Sequence, residues 1–245
     1  EKALKVLFEK LSSKQFIRLG WKPKPSESND DQLTRPYVLN AALYAENDDA
    51  ISSAHDLFVD NADKLLSLPA GVRVYVLANE MKNFANTALF DKLLTAYHDS
   101  SDASFKEDLR VAITSVTDSS LIAHLIEKFE DADVIKPQDL RGWFYSLLAN
   151  NNAQQAAWDW IRKDWDWLED TVGGDMEFAT YITVISMVFR TPERLTEFKE
   201  FFEPKLNTPG LTREISMDIK VIANRVDLVE AEKTSVIAAI LEAGR

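Results

Sequence analysis

The three histidines are the first residues to test for chemistry, because imidazole serves both as a zinc ligand and as a general base. They are His55, His98 and His124, and none has a second histidine four residues further on. A zinc-protease helix needs H-E-x-x-H, since positions i and i+4 direct both imidazoles toward one metal. The four residues after His124 are L-I-E-K, which do not match. We therefore interpret all three as ordinary helix residues and predict no catalytic and no metal-binding residue in this chain.

Other patterns that support catalysis or ion binding are also missing from the sequence. There are no cysteines, which excludes thiolate nucleophiles, thiolate zinc sites and disulfides. There is no G-x-S-x-G elbow, and the isolated pair Gly173-Gly174 matches no phosphate-binding loop. The acidic pairs at 30–31 and 48–49 lack the spaced oxygen ligands and turn glycine of a calcium loop. We interpret these pairs as solvated caps and turns.

Tryptophan is concentrated in one short stretch, residues 158–167, with four of the six in the chain. Clustered indole rings can form a stacking platform for a ligand or a peptide. The alternative is packing between helices. Trp158 and Trp165 are seven residues apart, as are Trp160 and Trp167, so each pair could share one helix face. We favour packing.

Composition indicates a soluble helical protein with a sizeable core. Of 245 residues, 46% are hydrophobic and 28% charged. Only 7 are glycine and 8 proline, fewer than the many turns of a sheet protein require. The net charge of −12 repels phosphate backbones, and no basic amphipathic stretch or long apolar run is present. We therefore predict no nucleic-acid partner and no membrane, and the lack of cysteine favours a cytoplasmic location.

Apolar residues recur at helical spacing along nearly the whole chain. The clearest stripes lie in residues 89–97, 121–129 and 140–148, and residues 181–189 are predicted to form a buried helix despite their strand-like composition. Helices of roughly 10–16 residues with short connections favour antiparallel pairs. The fold class is therefore all-α, a curved array of helix pairs with a HEAT/armadillo-like period of roughly 40 residues, an α-α superhelix.

Capping and breaking signals divide this pattern into elements. The predicted helix starts are Ser104 with Glu107, Asp118, Pro137, Thr191 with Pro192, and Thr208 with Pro209. Gly173-Gly174 is the predicted break. We predict one helical-repeat domain over residues 1–245, with a first helix at 1–19, a polar loop at 21–33 and the main array at 34–245. Because the pattern begins at Glu1 without a cap, we expect this segment to lie within a longer protein.

Residues 157–168 have the sequence AWDWIRKDWDWL. This stretch resembles the AW-D-F/W-hydrophobic-x-x-N-W-D-x-L block in the C-terminal domain of the aminopeptidase N family of zinc metallopeptidases. In the same order as in the family, further resemblances lie at residues 19–21 (L-G-W), 35–42 (R-x-x-V-L-x-A-A), 135–139 (I-R/K-x-Q-D), 147–151 (V-A-x-N), 189–195 (F-S-T-x-x-x-L) and 201–202 (FF). Lys136, Asp164 and Arg190 depart from the usual Arg, Asn and Ser, and the match weakens after Gly210.

The resemblance implies a parent enzyme that removes N-terminal residues from peptides, with one zinc held by H-E-x-x-H and a distant Glu. Neither that motif nor a G-A-M-E-N-like loop occurs in these 245 residues. The resemblance therefore places catalysis on an N-terminal portion, with no cofactor in this segment. It also implies that this domain caps the catalytic domain, its partner, and restricts or binds peptide substrates. The alternatives are a free-standing helical-repeat scaffold for protein binding and, third, an independent enzyme with an unrecognised site.

Three residues are candidates for substrate contact: Lys136, Gln138 and Asp139. They follow Ile135 at a predicted helix start, where side chains and free backbone N–H groups can face a cavity. The alternative is structural, because Gln138 and Asp139 can cap and brace the helix that begins near Pro137.

The contact hypothesis predicts the effect of Lys136→Ala in the full-length enzyme. The variant should raise KM for long peptides more than for a dipeptide-like substrate, because only the long peptide reaches this domain. Steady-state kinetics on both substrates tests this. Equal changes for the two substrates, or no change, would contradict it.

Overall fold

The computed structural model describes residues 1–174 and 177–245, and all regular structure in these ranges is helical. The all-α prediction is confirmed. The α-helices are α1 (Lys2–Leu19), α2 (Asn29–Tyr44), α3 (Asp48–Asp60), α4 (Ala70–Asn83), α5 (Thr87–Asp99), α6 (Ala103–Ile113), α7 (Ser119–Glu127), α8 (Pro137–Ala149), α9 (Gln154–Lys163), α10 (Trp165–Val172), α11 (Thr180–Val188), α12 (Pro192–Phe202) and α13 (Thr212–Ala243). Short 3₁₀ turns lie at Leu65–Ser67 and Glu203–Lys205. The chain divides into two compact units, Glu1–Leu121 with Val236–Arg245, and Ile122–Ser235.

The first unit is built from paired helices. Helices α1 and α2 are antiparallel, because Arg18 near the end of α1 pairs with Asp31 near the start of α2 (Nη2–Oδ1 2.6 Å). At the other end Lys5 of α1 pairs with Glu46 just after α2 (Nζ–Oε1 2.7 Å). Helix α3 packs on α4 and α5 on α6, while α2, α4 and α6 are neighbours in one row.

Hydrogen bonds between helices of one row give the repeat period. In the first unit Arg73 of α4 bonds Asp108 of α6, 35 residues further on. In the second unit Trp158 of α9 bonds Glu197 of α12, and Arg141 of α8 bonds Thr180 of α11, each 39 residues apart. These separations agree with the predicted repeat of roughly 40 residues. The superhelical curvature and the single domain over 1–245 stay predictions.

A buried ion pair joins α4 to α6. The Arg73 side chain is 5% exposed, and its Nε lies 2.6 Å from Asp108 Oδ2. Arg73 Nη1 also donates to the Leu66 carbonyl at 3.2 Å, and the guanidinium lies 5.0 Å from the centre of the Phe105 ring. Burial raises the pKa of the Asp108 carboxyl, and the bond from Arg73 opposes that shift. Each charge is therefore kept in the interior by the other.

A second buried ion pair fixes the segment between α1 and α2. Arg35 donates to Glu27 through Nη1 (Oε2, 2.8 Å) and Nη2, and to the Gly20 carbonyl through Nε at 3.1 Å. Gly20 has φ of 58°, a left-handed conformation that ends α1 without a Cβ penalty. Helix α2 begins at Asn29, where Ser28 Oγ accepts from Asp31 N. The predicted loop at 21–33 was therefore too long, because the Ser28 cap starts the helix inside it.

Buried polar side chains also join helix α11 to α13 in the second unit. Asp218 of α13 is buried and accepts from the hydroxyls of Ser186 (2.8 Å) and Thr183 (3.1 Å) of α11. Arg225 of α13 donates to the carbonyl of Phe189 at 2.9 Å. Burial raises the pKa of the Asp218 carboxyl, and the two hydroxyls oppose this. The prediction of a buried helix at 181–189 is confirmed in the part that forms α11.

Most predicted helix boundaries are confirmed, and two are wrong. Asp118 caps α7, Pro137 begins α8, Thr191 caps α12, and Gly173 follows the last residue of α10. The predicted cap Ser104 lies inside α6, because Asp102 Oδ1 accepts from Phe105 N at 2.7 Å and starts the helix earlier. No helix starts at Thr208-Pro209. Gly210 has φ of 88°, a left-handed turn that interrupts helical geometry, and α13 begins at Thr212. Helix α13 has 32 residues, longer than the predicted 10–16.

The Arg73–Asp108 pair predicts a large effect of Asp108→Ala. The variant leaves the buried guanidinium without its carboxylate, which should lower the free energy of unfolding by about 3 kcal/mol. Glu107→Ala is the matched control, because that neighbouring carboxylate is 59% exposed and pairs with Arg110 at the surface. The control should lose less than about 1 kcal/mol. Urea unfolding measures both, and equal losses would contradict the role given to the buried pair.

Candidate functional site

The three predicted contact residues lie at the start of α8 in the second unit. Pro137 occupies the first helical position and Lys136 precedes it as the N-cap. Lys136 Nζ donates to the Ala132 carbonyl at 2.8 Å, and Asp139 N donates to the Lys136 carbonyl at 2.8 Å. Lys136 and Gln138 are exposed, whereas Asp139 is half-buried. The helix start therefore brings the three residues together, and the Lys136 ammonium group already donates to the Ala132 carbonyl.

A very small cavity lies beside this helix start. Gln138 and Arg141 line it on α8, and it is also lined by Phe178, which precedes α11, and by Tyr181 in the first turn of α11. Arg141 spans its edge through an ion pair with Glu177 and a 2.6 Å hydrogen bond to Thr180 Oγ1. The volume of about 20 Å³ is enough for about one water molecule. Lys136 and Gln138 are thus exposed beside a cavity that is too small to hold a peptide residue.

The tryptophan-rich stretch packs within the second unit. Trp158, Trp160 and Trp165 are buried, with Trp158 fully so. The Trp158 ring lies 5.2 Å from the Phe189 ring, and its Nε1 donates to Glu197 Oε2 at 2.8 Å. The packing interpretation is confirmed. The seven-residue pairs do not share one helix, since α9 ends at Lys163 and α10 begins at Trp165.

The three histidines lie apart and pair with separate acids. His55 Nδ1 lies 2.9 Å from Glu80 Oε2, and its ring stacks on Phe84 at 4.1 Å. His98 pairs with its neighbour Asp99, and His124 with Glu127. Burial raises the pKa of the Glu80 carboxyl, and the bond from His55 opposes the shift. Within residues 1–174 and 177–245 no group of three or more His, Cys, Asp or Glu can hold a metal. This part of the chain does not fit the zinc implied for the parent.

Two of the larger cavities in the first unit lie at residues that the sequence analysis did not single out as a site. One, about 500 Å³, lies where α1 ends and is lined by Phe16, Trp21 and Leu57 among others. The other, about 200 Å³, lies between α2 and α4 and is lined by Tyr44 and Tyr75 among others. A partial signal for the second existed in the sequence: Tyr37, Asn40 and Tyr44 follow i, i+3, i+7 spacing and share one helix face.

The described part of the chain includes no helix that is both long enough and apolar enough to cross a membrane.

The described residues form helices that pack in pairs and are linked by hydrogen bonds across 35 to 39 residues, which defines an all-α protein of paired helices. Residues 1–224 match the family model of the ERAP1-like C-terminal domain, and the chain belongs to that family. The family resemblance seen in the sequence is thereby confirmed.

Similar proteins carry aminopeptidase names. The chain is 58% identical over 243 residues to aminopeptidase N of Lactobacillus helveticus and 40% identical over 243 residues to that of Lactococcus lactis subsp. cremoris strain MG1363. It is 26% identical over 218 residues to glutamyl aminopeptidase of Mus musculus. These matches cover 99%, 99% and 89% of the chain but only 29%, 29% and 23% of the relatives. The chain thus spans less than a third of the curated relatives it matches.

The packing role of Trp158 predicts a stability loss in Trp158→Phe. The variant keeps an aromatic ring but removes the donor to the Glu197 carboxylate, which should cost about 2 kcal/mol. Trp167→Phe is the control, because Trp167 is only half-buried and no described residue accepts a hydrogen bond from it. Thermal or urea unfolding compares the two. A smaller loss for Trp158→Phe than for the control would overturn the packing role.

Proposed function

We propose that this chain is the C-terminal domain of a zinc-dependent aminopeptidase, an enzyme that removes N-terminal amino acids from peptides. The observation that carries the proposal is the 58% identity, over 99% of this chain, to a relative named aminopeptidase N. The chain corresponds to only 29% of that relative. The remaining length is where the proposal places catalysis.

The proposal assigns catalysis and substrate restriction to different parts of the parent enzyme. The chain has no H-E-x-x-H motif and none of the nucleophile motifs considered above. The N-terminal catalytic part therefore holds the zinc, which supplies Lewis-acid activation of a bound water. This domain packs against that part, its partner in the same polypeptide, and restricts which peptides reach the zinc.

Exposed apolar side chains support packing against a neighbouring domain. In the first unit Leu11 and Ile17 of α1 are 66% and 82% exposed. In the second unit Leu228 of α13 is 62% exposed. The proposal assigns these side chains to an interface with the part of the relatives that this chain does not match.

The substrate-contact role of Lys136, Gln138 and Asp139 belongs to the same proposal. Two of the three are exposed at the start of α8, where a passing peptide can touch them. We place the parent enzyme in the cytoplasm on the basis of the cysteine-free, acidic sequence.

The test is the intact mass and activity of the natural protein that carries this chain, captured with an antibody against it. A mass several times the 27.8 kDa of this segment, with bound zinc and hydrolysis of an alanyl anilide, is the expected result. A mass near 27.8 kDa, without zinc or hydrolysis, would overturn the proposal. That outcome favours a free-standing scaffold for protein binding.

A further inference from the structure

We propose that the cavity between α2 and α4, together with the exposed aromatic face beside it on α2, binds an extended segment of a peptide through its backbone. We call this surface the tyrosine ledge: Tyr37, Asn40 and Tyr44 on α2, and Tyr75 and Lys82 on α4. The inference rests on the proposed function in taking the peptide to be a substrate of the parent enzyme.

Helical spacing aims these side chains into one cavity. Asn40 and Tyr44 are four residues apart on α2, and Tyr75 and Lys82 are seven apart on α4, so each pair lies on one helix face. All four line the cavity, whose volume is about 200 Å³. Pockets for drug-sized ligands measure about 300–1,000 Å³. The cavity therefore accommodates about one residue of a peptide rather than a whole small molecule.

The polar groups of the ledge are free to bind. Among the described residues, none forms a hydrogen bond with the side-chain amide of Asn40 or with the hydroxyls of Tyr44 and Tyr75. The neighbouring Asn79 is different, since its Nδ2 donates to the Ile51 carbonyl at 3.2 Å and its Oδ1 accepts from Asn83 Nδ2 at 2.9 Å. Amide and hydroxyl groups both donate and accept hydrogen bonds. A peptide group, which presents one N–H and one C=O, matches that combination.

The tyrosines are held in place and stay uncharged. The Tyr44 ring packs against Phe8 with centroids 4.8 Å apart, and Tyr75 is half-buried. Burial raises the pKa of the Tyr75 phenol, with a smaller contribution from Tyr37, so the hydroxyl keeps its proton at neutral pH. Rigid aromatic side chains give large contact area at low conformational entropy cost, as in antibody binding loops.

Charge on the ledge is weak and does not favour an ionic ligand. Lys82 is its one cation, and Lys82 Nζ lies 4.0 Å from Glu46 Oε1, which Lys5 also binds at 2.7 Å. With a net charge of −12, the chain as a whole repels polyanions. The chemistry that remains is stacking and neutral hydrogen bonding, which suits a peptide backbone with uncharged side chains.

The exposed face of α2 extends the contact beyond the cavity. Leu33 and Tyr37 are 70% and 76% exposed and continue the face that carries Asn40 and Tyr44. From Leu33 to Tyr44 the helix rises about 16 Å at roughly 1.5 Å per residue. An extended peptide covers that distance in about five residues. The tyrosine ledge therefore matches the length of substrates of several residues, and we expect an aminoacyl anilide not to contact it.

The experiment uses the natural full-length protein and the double variant Asn40→Ala/Tyr75→Phe. Substrates share their first two residues and increase in length from two to twelve, with alanyl anilide as the reference. The expected result is a KM raised about tenfold for the long peptides, from the loss of two hydrogen bonds, with the anilide unaffected. Tyr145→Phe is the matched control, because Tyr145 of α8 is 40% exposed and lies in the other unit. It should leave every KM unchanged.

A direct binding measurement tests the tyrosine ledge independently of the proposed aminopeptidase function. Fluorescence anisotropy with a labelled twelve-residue uncharged peptide should show about tenfold weaker binding to the double variant, which must retain the unfolding midpoint of the wild type. If the double variant binds the peptide about tenfold more weakly but the wild type hydrolyses no anilide, the proposed function is contradicted and the binding role of the tyrosine ledge is supported. Equal long-peptide KM and equal binding in wild type and variant would overturn the ledge itself.

Discussion

Each helix of this chain must bury one apolar stripe, and the structure depends on how that constraint is met. A helix of about a dozen residues is marginal in water by itself and is held by packing of its apolar face. The stripe of α8, which includes Leu140, Trp143 and Phe144, is fully buried. Within each unit neighbouring helices supply the covering surface: α4 packs on α3 and α6 in the first unit, and α8 packs on α9 and α11 in the second.

Buried polar bridges then fix the position of neighbouring helices. Three such bridges join neighbouring helices: Arg73 with Asp108, Trp158 with Glu197, and Asp218 with Ser186. Apolar contacts are not directional, so by themselves they define the position of one helix along another less strictly. A buried hydrogen-bond donor that loses its acceptor is left without any partner, because water cannot reach it. These hydrogen bonds and ion pairs therefore fix how far one helix is shifted along its neighbour. Burial at these contacts raises the pKa values of the Asp108 and Asp218 carboxyl groups.

The same construction separates binding surface from core. Apolar stripes face the neighbouring pair, so the opposite helix faces are available for ligands without loss of packing. On α2, Leu39 and Ala42 are buried while Tyr37 and Asn40 are exposed. A domain of this kind can present a peptide-binding surface while the zinc chemistry proposed for the parent resides elsewhere. The start of α8, with Lys136 and Gln138, and the tyrosine ledge are the two surfaces that we propose for peptide contact, one in each unit.

The sequence by itself determined the helical class and the family, because apolar periodicity and short family blocks are local features of the chain. It also located most caps, since Asp118 and Thr191 act within three residues of themselves. Two local signals were misread: Asp102 rather than Ser104 caps α6, and a turn at Gly210 replaces the helix start predicted at Thr208-Pro209. Only the tertiary structure decided which helices pack together. The cavity between Tyr44 and Tyr75 depends on residues from two helices, and a sequence pattern cannot bring together side chains that only packing places side by side.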